Sequence, residues 1–76
     1  MSTGMLWFDN SNMPLEDKIK KARAYYEKKY GGRANECLVH PSLLKDGTPE
    51  IEGMTIKPYR PVLPGYIWLG MKEQQT

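Results

Sequence analysis

Residues 14–30, PLEDKIKKARAYYEKKY, decide the fold, because they form the longest periodic segment of the chain. Apolar and aromatic side chains recur in it at steps of three and four, the spacing that lines them up on one face of an α-helix. The members of this stripe are Leu15, Ile19, Ala22, Tyr26 and Tyr30. The pattern predicts an amphipathic helix whose stripe packs against another element.

Residues around this segment match the preferences of helix ends. Ser11 and Asn12 can accept hydrogen bonds from the first free amides, and Pro14 suits the first turn. Gly31-Gly32 offers the left-handed conformation that closes a helix at little steric cost. Spacing of four residues predicts two surface ion pairs, Glu16 with Lys20 and Asp17 with Lys21.

The other periodic segments are short and typical of strands. We expect strands at residues 5–8, 36–40, 50–57 and 66–71, because these segments are rich in apolar, aromatic and β-branched residues and are bounded by turn residues. The passage from strand to helix to strand permits a right-handed crossover between the first two strands. We expect the last two strands to form a hairpin.

Two shorter features are predicted between the strands. Residues 41–44 are expected to form a single helical turn, since Pro41 terminates the preceding strand. Pro64-Gly65 suits a type II turn before the last strand.

This order of elements predicts an α+β fold. We expect residues 1–76 to form a single domain, with one helix on one face of a small mixed sheet of about four strands. Residues 1–4 and 72–76 are expected to be loose termini. Because so short a chain buries only about 60% of the surface of its unfolded form, the other sheet face should remain poorly covered.

Composition restricts the compartment and the partners. A single cysteine allows no internal disulfide, and no signal-peptide pattern precedes it, so we expect a reducing, cytoplasmic setting. The apolar runs are far shorter than the ~20 residues of a membrane span. The net charge of +2 is too small to imply nucleic acid, although residues 15–30 hold six basic and three acidic residues.

Catalytic and metal-binding arrangements are poorly supported. Cys37 and His40 lie three positions apart on a predicted strand and therefore point to opposite faces, unless the strand ends at Val39. One His and one Cys are too few for a structural zinc site, and the oxygen donors of residues 9–12 are better explained by turn and cap chemistry. We expect no enzyme activity, no cofactor and no metal.

Two surfaces are candidates for binding. The first is an aromatic corner and sheet face, predicted to lie away from the helix and to bind a protein partner or a second copy of the chain. Its members are Trp7, Tyr59, Arg60, Tyr66 and Trp68. The competing interpretation is that residues 42–49 fold back and cover this face.

The second surface is one side of the helix, called here the basic flank. It comprises Lys18, Lys21, Tyr25, Lys28 and Lys29. Ammonium groups around an aromatic ring can contact phosphates and stack on a base, which makes single-stranded nucleic acid the alternative partner. The competing interpretation is a solvated helix surface on which Tyr25 widens the apolar stripe.

Residues 53–70 contain a strand, a proline-broken connection, Leu63-Pro64-Gly65 and a closing strand. This passage resembles the hairpins near the end of shell proteins from tailed bacteriophages. The resemblance covers about a quarter of the chain, contains no signature residue and implies an association with a virus or mobile element.

Overall fold

The computed structural model describes residues 4–72 and confirms the predicted α+β class, with one α-helix and a four-stranded mixed sheet. Its elements are β1 (Gly4–Phe8), α1 (Leu15–Tyr30), β2 (Glu36–Val39), a 3₁₀ helix (Pro41–Leu44), β3 (Thr55–Pro58) and β4 (Tyr66–Gly70). The 3₁₀ helix is the predicted helical turn.

Several predicted boundaries are corrected. Gly4, assigned to a loose terminus, belongs to β1, while residues 1–3 and 73–76 lie outside the described residues. The third strand begins at Thr55 rather than at residue 50, because Met54 N donates to Ile51 O in a turn that Gly53 completes at φ 74°. Alternation alone did not distinguish this turn from a strand.

The strands lie in the order β1-β4-β2-β3. β4 runs antiparallel to both of its neighbours, and β2 pairs with β3 in parallel. The predicted hairpin of the last two strands is therefore wrong. Residues 59–65 instead carry the chain past β2 to its other side, which also removes the structural basis of the resemblance to phage shell proteins.

The turn before β4 forms, but not in the predicted type. Tyr66 N donates to Leu63 O at 2.9 Å. The glycines with positive φ are Gly31, Gly47 and Gly53, so Gly65 lacks the left-handed conformation that a type II turn requires at this position.

Of the capping interactions predicted for the two ends of α1, the C-terminal one is confirmed and the N-terminal one is wrong. Gly31 adopts φ 76° and its N–H donates to Glu27 O at 2.9 Å, as a left-handed cap should. At the start, no side chain of the described residues caps the helix. Ser11 Oγ accepts from Met13 N instead, because Pro14 occupies the cap position and places Ser11 outside the first turn.

Of the two ion pairs predicted on α1, one forms and the other does not. Lys20 Nζ lies 2.9 Å from Glu16 Oε2, and this bond raises the pKa of Lys20. Asp17 and Lys21 form no ion pair within 4.0 Å in the described part of the chain.

The core lies between α1 and one sheet face. From the helix stripe, Ile19, Ala22 and Tyr26 are buried, whereas Leu15 is half-buried and Tyr30 is exposed. The sheet contributes buried Met5, Cys37, Val39, Ile67 and Leu69. Ile51 belongs to the same cluster, and Leu43 and Leu44 pack against it. Residues 42–49, which the competing interpretation placed over the second face, therefore contribute to the core under the first.

Removing a side chain from this core should cost far more stability than the same change outside it. Leu69 is 0% exposed and Leu63, in the turn before β4, is 61% exposed. We expect Leu69→Ala to lower the free energy of unfolding by about 2–5 kcal/mol. Leu63→Ala should change it by about 0.5 kcal/mol or less. Urea unfolding followed by circular dichroism checks both, and equal losses would contradict the assignment of the core face.

Candidate functional site

The sheet face that α1 does not cover is largely apolar. Strand alternation and register place Leu6, Trp68 and Leu38 in one row across β1, β4 and β2, with Phe8 and Tyr66 paired beside it. We call these five residues the open face. Leu6 is 58% and Phe8 60% exposed, whereas the other three are half-buried. No described helix packs on this side, so its apolar groups face solvent.

Trp68 forms the centre of the open face, and two glycines make room for it. A Cβ atom built on Gly4 or on Gly70 would overlap the Trp68 indole. The ring therefore lies along the sheet, over the backbone of both β1 and β4. A glycine in a strand often marks such a close approach, and the aromatic ring shields the backbone that the glycine leaves bare.

Aromatic and charged groups surround Trp68 on the open face. The rings of Phe8 and Tyr66 lie 5.0 Å apart at an angle of 56°, an arrangement that favours contact of ring edge with ring face. At the β3 side, Lys57 is the register partner of Leu38 and its Nζ lies 3.7 Å from Glu36 Oε2. The open face thus has an apolar centre and a mixed-charge rim.

One predicted member of this surface is on the wrong side. Trp7 pairs with Ile67 in the register, so it points toward the helix, where its ring lies 5.1 Å from that of Tyr25. Leu6 and Phe8 take its place on the open face. Their shared parity was visible in the sequence, but only the pairing of β1 with β4 shows that they join Trp68 and Tyr66.

The structure separates the remaining predicted partner-binding residues into two locations. Tyr66 and Trp68 lie on the open face, as predicted. Tyr59 and Arg60 follow the edge strand β3 and are exposed in the connection to β4, where Val62 is buried apart from the main core cluster. They extend the surface at one corner and do not form its centre.

The two residues considered as a catalytic pair have separate structural roles. The Cys37 side chain is buried in the core, and burial raises the pKa of its thiol to about 12. β2 ends at Val39, so His40 lies outside the strand, and its Nδ1 lies 2.9 Å from Ser42 Oγ and accepts from Ser42 N at 3.1 Å. It caps the 3₁₀ helix that follows.

The oxygen-rich segment at residues 9–12 makes turn interactions. Ser11 N donates to Asp9 Oδ1 at 2.9 Å, and hydrogen bonds from Ser11, with lesser contributions from the charges of Lys18 and Lys21, lower the pKa of Asp9. Within residues 4–72, no group of three His, Cys, Asp or Glu side chains is placed to hold a metal ion.

The basic flank is assembled on the side of α1 next to β1. Lys18 Nζ donates to Asp9 O at 3.3 Å, just after β1 ends, and Tyr25 contacts Trp7 of β1. Lys29 Nζ lies 5.4 Å from the centre of the Tyr30 ring. The five predicted residues all belong to α1, and two of them, Lys18 and Tyr25, contact β1 or the residue that follows it.

Comparison of the chain with protein-family models, with curated proteins and with solved structures finds no significant match. No helix formed by residues 4–72 has both the length and the apolar character needed to cross a membrane.

Adding one methyl group beneath Trp68 should disturb the open face. Gly70→Ala places a Cβ within the space of the indole, and we expect it to lower the free energy of unfolding by about 1–3 kcal/mol. In a Trp7→Phe background, where Trp68 is the single emitter, the fluorescence maximum should also shift. Gly32→Ala is the matched control, because its Cβ would meet only the flexible Met71 side chain, at 3.3 Å.

The Cys37 thiol should be unreactive until the protein unfolds. At pH 8 the folded protein should react with Ellman's reagent far more slowly than the urea-unfolded chain, because burial raises the pKa of Cys37 from 9.0 to about 12. The folded state retains a proton that the unfolded state releases, so stability should fall as pH rises from about 9 toward 12. Cys37→Ala should remove that part of the decline. Rapid labelling of the folded protein would contradict the burial.

Proposed function

We propose that this protein is a non-enzymatic interaction module that associates with a second copy of itself through the open face. The observation that carries the proposal is the contrast between the two sides of the sheet: one is covered by α1, while the other leaves two apolar residues exposed and three half-buried. Contiguous exposed apolar surface on a small chain is typical of an interface. A cytoplasmic setting agrees with a single, buried thiol.

The layering of the fold supports this use of the open face. A sheet with apolar groups on both sides is stable when both are covered, and residues 4–72 supply cover for one. A second copy would add its own sheet at a distance of about 10 Å. The resulting assembly has four layers, with the two sheets inside and the two helices outside.

The charges at the rim of the open face favour a second copy of the same chain as the partner. A two-fold interface brings the same patch of each protomer together, so it must be complementary to itself. Glu36 and Lys57 supply both signs of charge at the rim of the face. Rotation by two-fold symmetry can exchange these partners between protomers without placing like charges together.

The size of the open face sets the expected strength of the dimer. Its five residues lie on three strands spaced about 4.8 Å apart. The area that they can bury is therefore small beside the ~800 Å² per partner of a standard interface. Most of the binding energy should come from the central aromatic side chains. We expect a dimer that dissociates on dilution.

A charge on the open face should convert the dimer into a monomer. Phe8→Glu places a carboxylate at the interface, where it would lose its hydration. Trp68→Ala removes the central ring and should weaken association by about tenfold or more. Sedimentation velocity over a dilution series measures both effects.

Tyr30→Glu is the matched control, since it makes an equivalent change at an exposed aromatic residue of α1, on the other side of the sheet. It should leave the dimer intact. A strict monomer at every concentration, or equal dissociation by Phe8→Glu and Tyr30→Glu, would overturn the proposal. A monomer that instead binds another protein through Trp68 would assign the face to a different partner.

A further inference from the structure

The basic flank remains free when the open face is occupied, because α1 lies on the opposite side of the sheet. Its lysines are separated from most of the acidic residues of the helix. Glu16 pairs with Lys20, and Glu27 Oε2 lies 3.5 Å from Arg33 Nε, both on the other side of α1. Positive charge therefore accumulates on the side that faces β1.

Among residues 4–72, two carboxylates lie beside the first turn of the flank. The Asp9 carboxylate, whose pKa is lowered in part by Lys18 and Lys21, lies at that end, and Asp17 is one turn before Lys21. Beyond Lys21 the flank carries no carboxylate. Residues 18–29 extend for about 16 Å along the helix axis at 1.5 Å per residue.

Tyr25 lies in the middle of the flank and is held at the surface. It is 48% exposed, and its ring packs on Trp7 at 5.1 Å with an angle of 50° between the rings. The side chain therefore does not enter the core stripe. Trp7 fixes the position of the ring while leaving much of it accessible, which pre-organises it as a stacking surface.

The ring pair has an unsatisfied polar group. Trp7 Nε1 is buried and has no hydrogen-bond partner within residues 4–72. Burying such a donor destabilises a fold by an amount comparable to a lost hydrogen bond.

We infer that the basic flank binds single-stranded nucleic acid, with the lysines contacting phosphates and Tyr25 stacking on a base. Lysines alone would suit any polyanion. An accessible ring among them selects for exposed base faces, which duplexes hide and lipid headgroups lack. This inference is independent of self-association, since the two surfaces lie on opposite sides of the sheet.

Fluorescence anisotropy with a labelled oligothymidine of about 16 nucleotides at low salt tests the inference. Binding should weaken steeply with added salt. Lys21→Glu should raise the dissociation constant about tenfold and reduce the salt dependence. Lys45→Glu changes the net charge equally at an exposed loop position, and should have an effect of less than about twofold.

A second pair of variants isolates the ring. Tyr25→Ala should raise the dissociation constant about fivefold or more. Tyr59→Ala is its control, because Tyr59 has the same 48% exposure but follows β3, at the opposite edge of the sheet from β1. Circular dichroism melting curves establish that all four variants fold.

Three outcomes would overturn the inference. They are no binding at low salt, equal losses for Lys21→Glu and Lys45→Glu, and binding to vesicles of anionic phospholipid that competes with the oligonucleotide and is unaffected by Tyr25→Ala. The last would assign the flank to a membrane surface. Phe8→Glu, which should abolish the dimer, should retain oligonucleotide binding, so failure of one proposal is separable from failure of the other.

Discussion

The fold depends on the insertion of β4 between β1 and β2. It is the strand that bonds to both of them, and its inward side chains, Ile67 and Leu69, are among the most deeply buried residues of the core. Its outward side chains, Tyr66 and Trp68, form the middle of the open face. Because alternate residues of one strand serve the two sides, the packing under α1 and the geometry of the open face are set by the same register.

That shared register links stability to function. A shift of one residue in the pairing register of β4 would move Trp68 under the helix and expose Leu69. The packing of the core therefore fixes the position of the aromatic residues of the open face. Gly4 and Gly70 add a second constraint, since the indole fits only where β1 and β4 both lack side chains. The basic flank depends on the same pairing, because Trp7 supports Tyr25 from the neighbouring strand.

Local features of this fold could be predicted from the sequence, whereas strand pairing could not. Periodicity identified α1 and its buried side chains, and Gly31 marked its end, because these depend on residues a few positions apart. The location of Trp7 depends on which strand pairs with β1, and nothing within residues 5–8 encodes that choice. Gly4 and Gly70, which face each other in the register next to Trp68, are a signal that could have revealed the close packing of β1 on β4.

The strand order also determines when the protein can fold. β1 precedes α1 and β4 is the last element of residues 4–72, yet within these residues β1 pairs with β4 alone. A nascent chain that lacks residues 66–70 would contain a helix and three strands with no partner for β1 and an incomplete core. The sheet therefore closes only after residues 66–70 have left the ribosome, and its assembly requires pairing between residues that lie 58 to 66 positions apart.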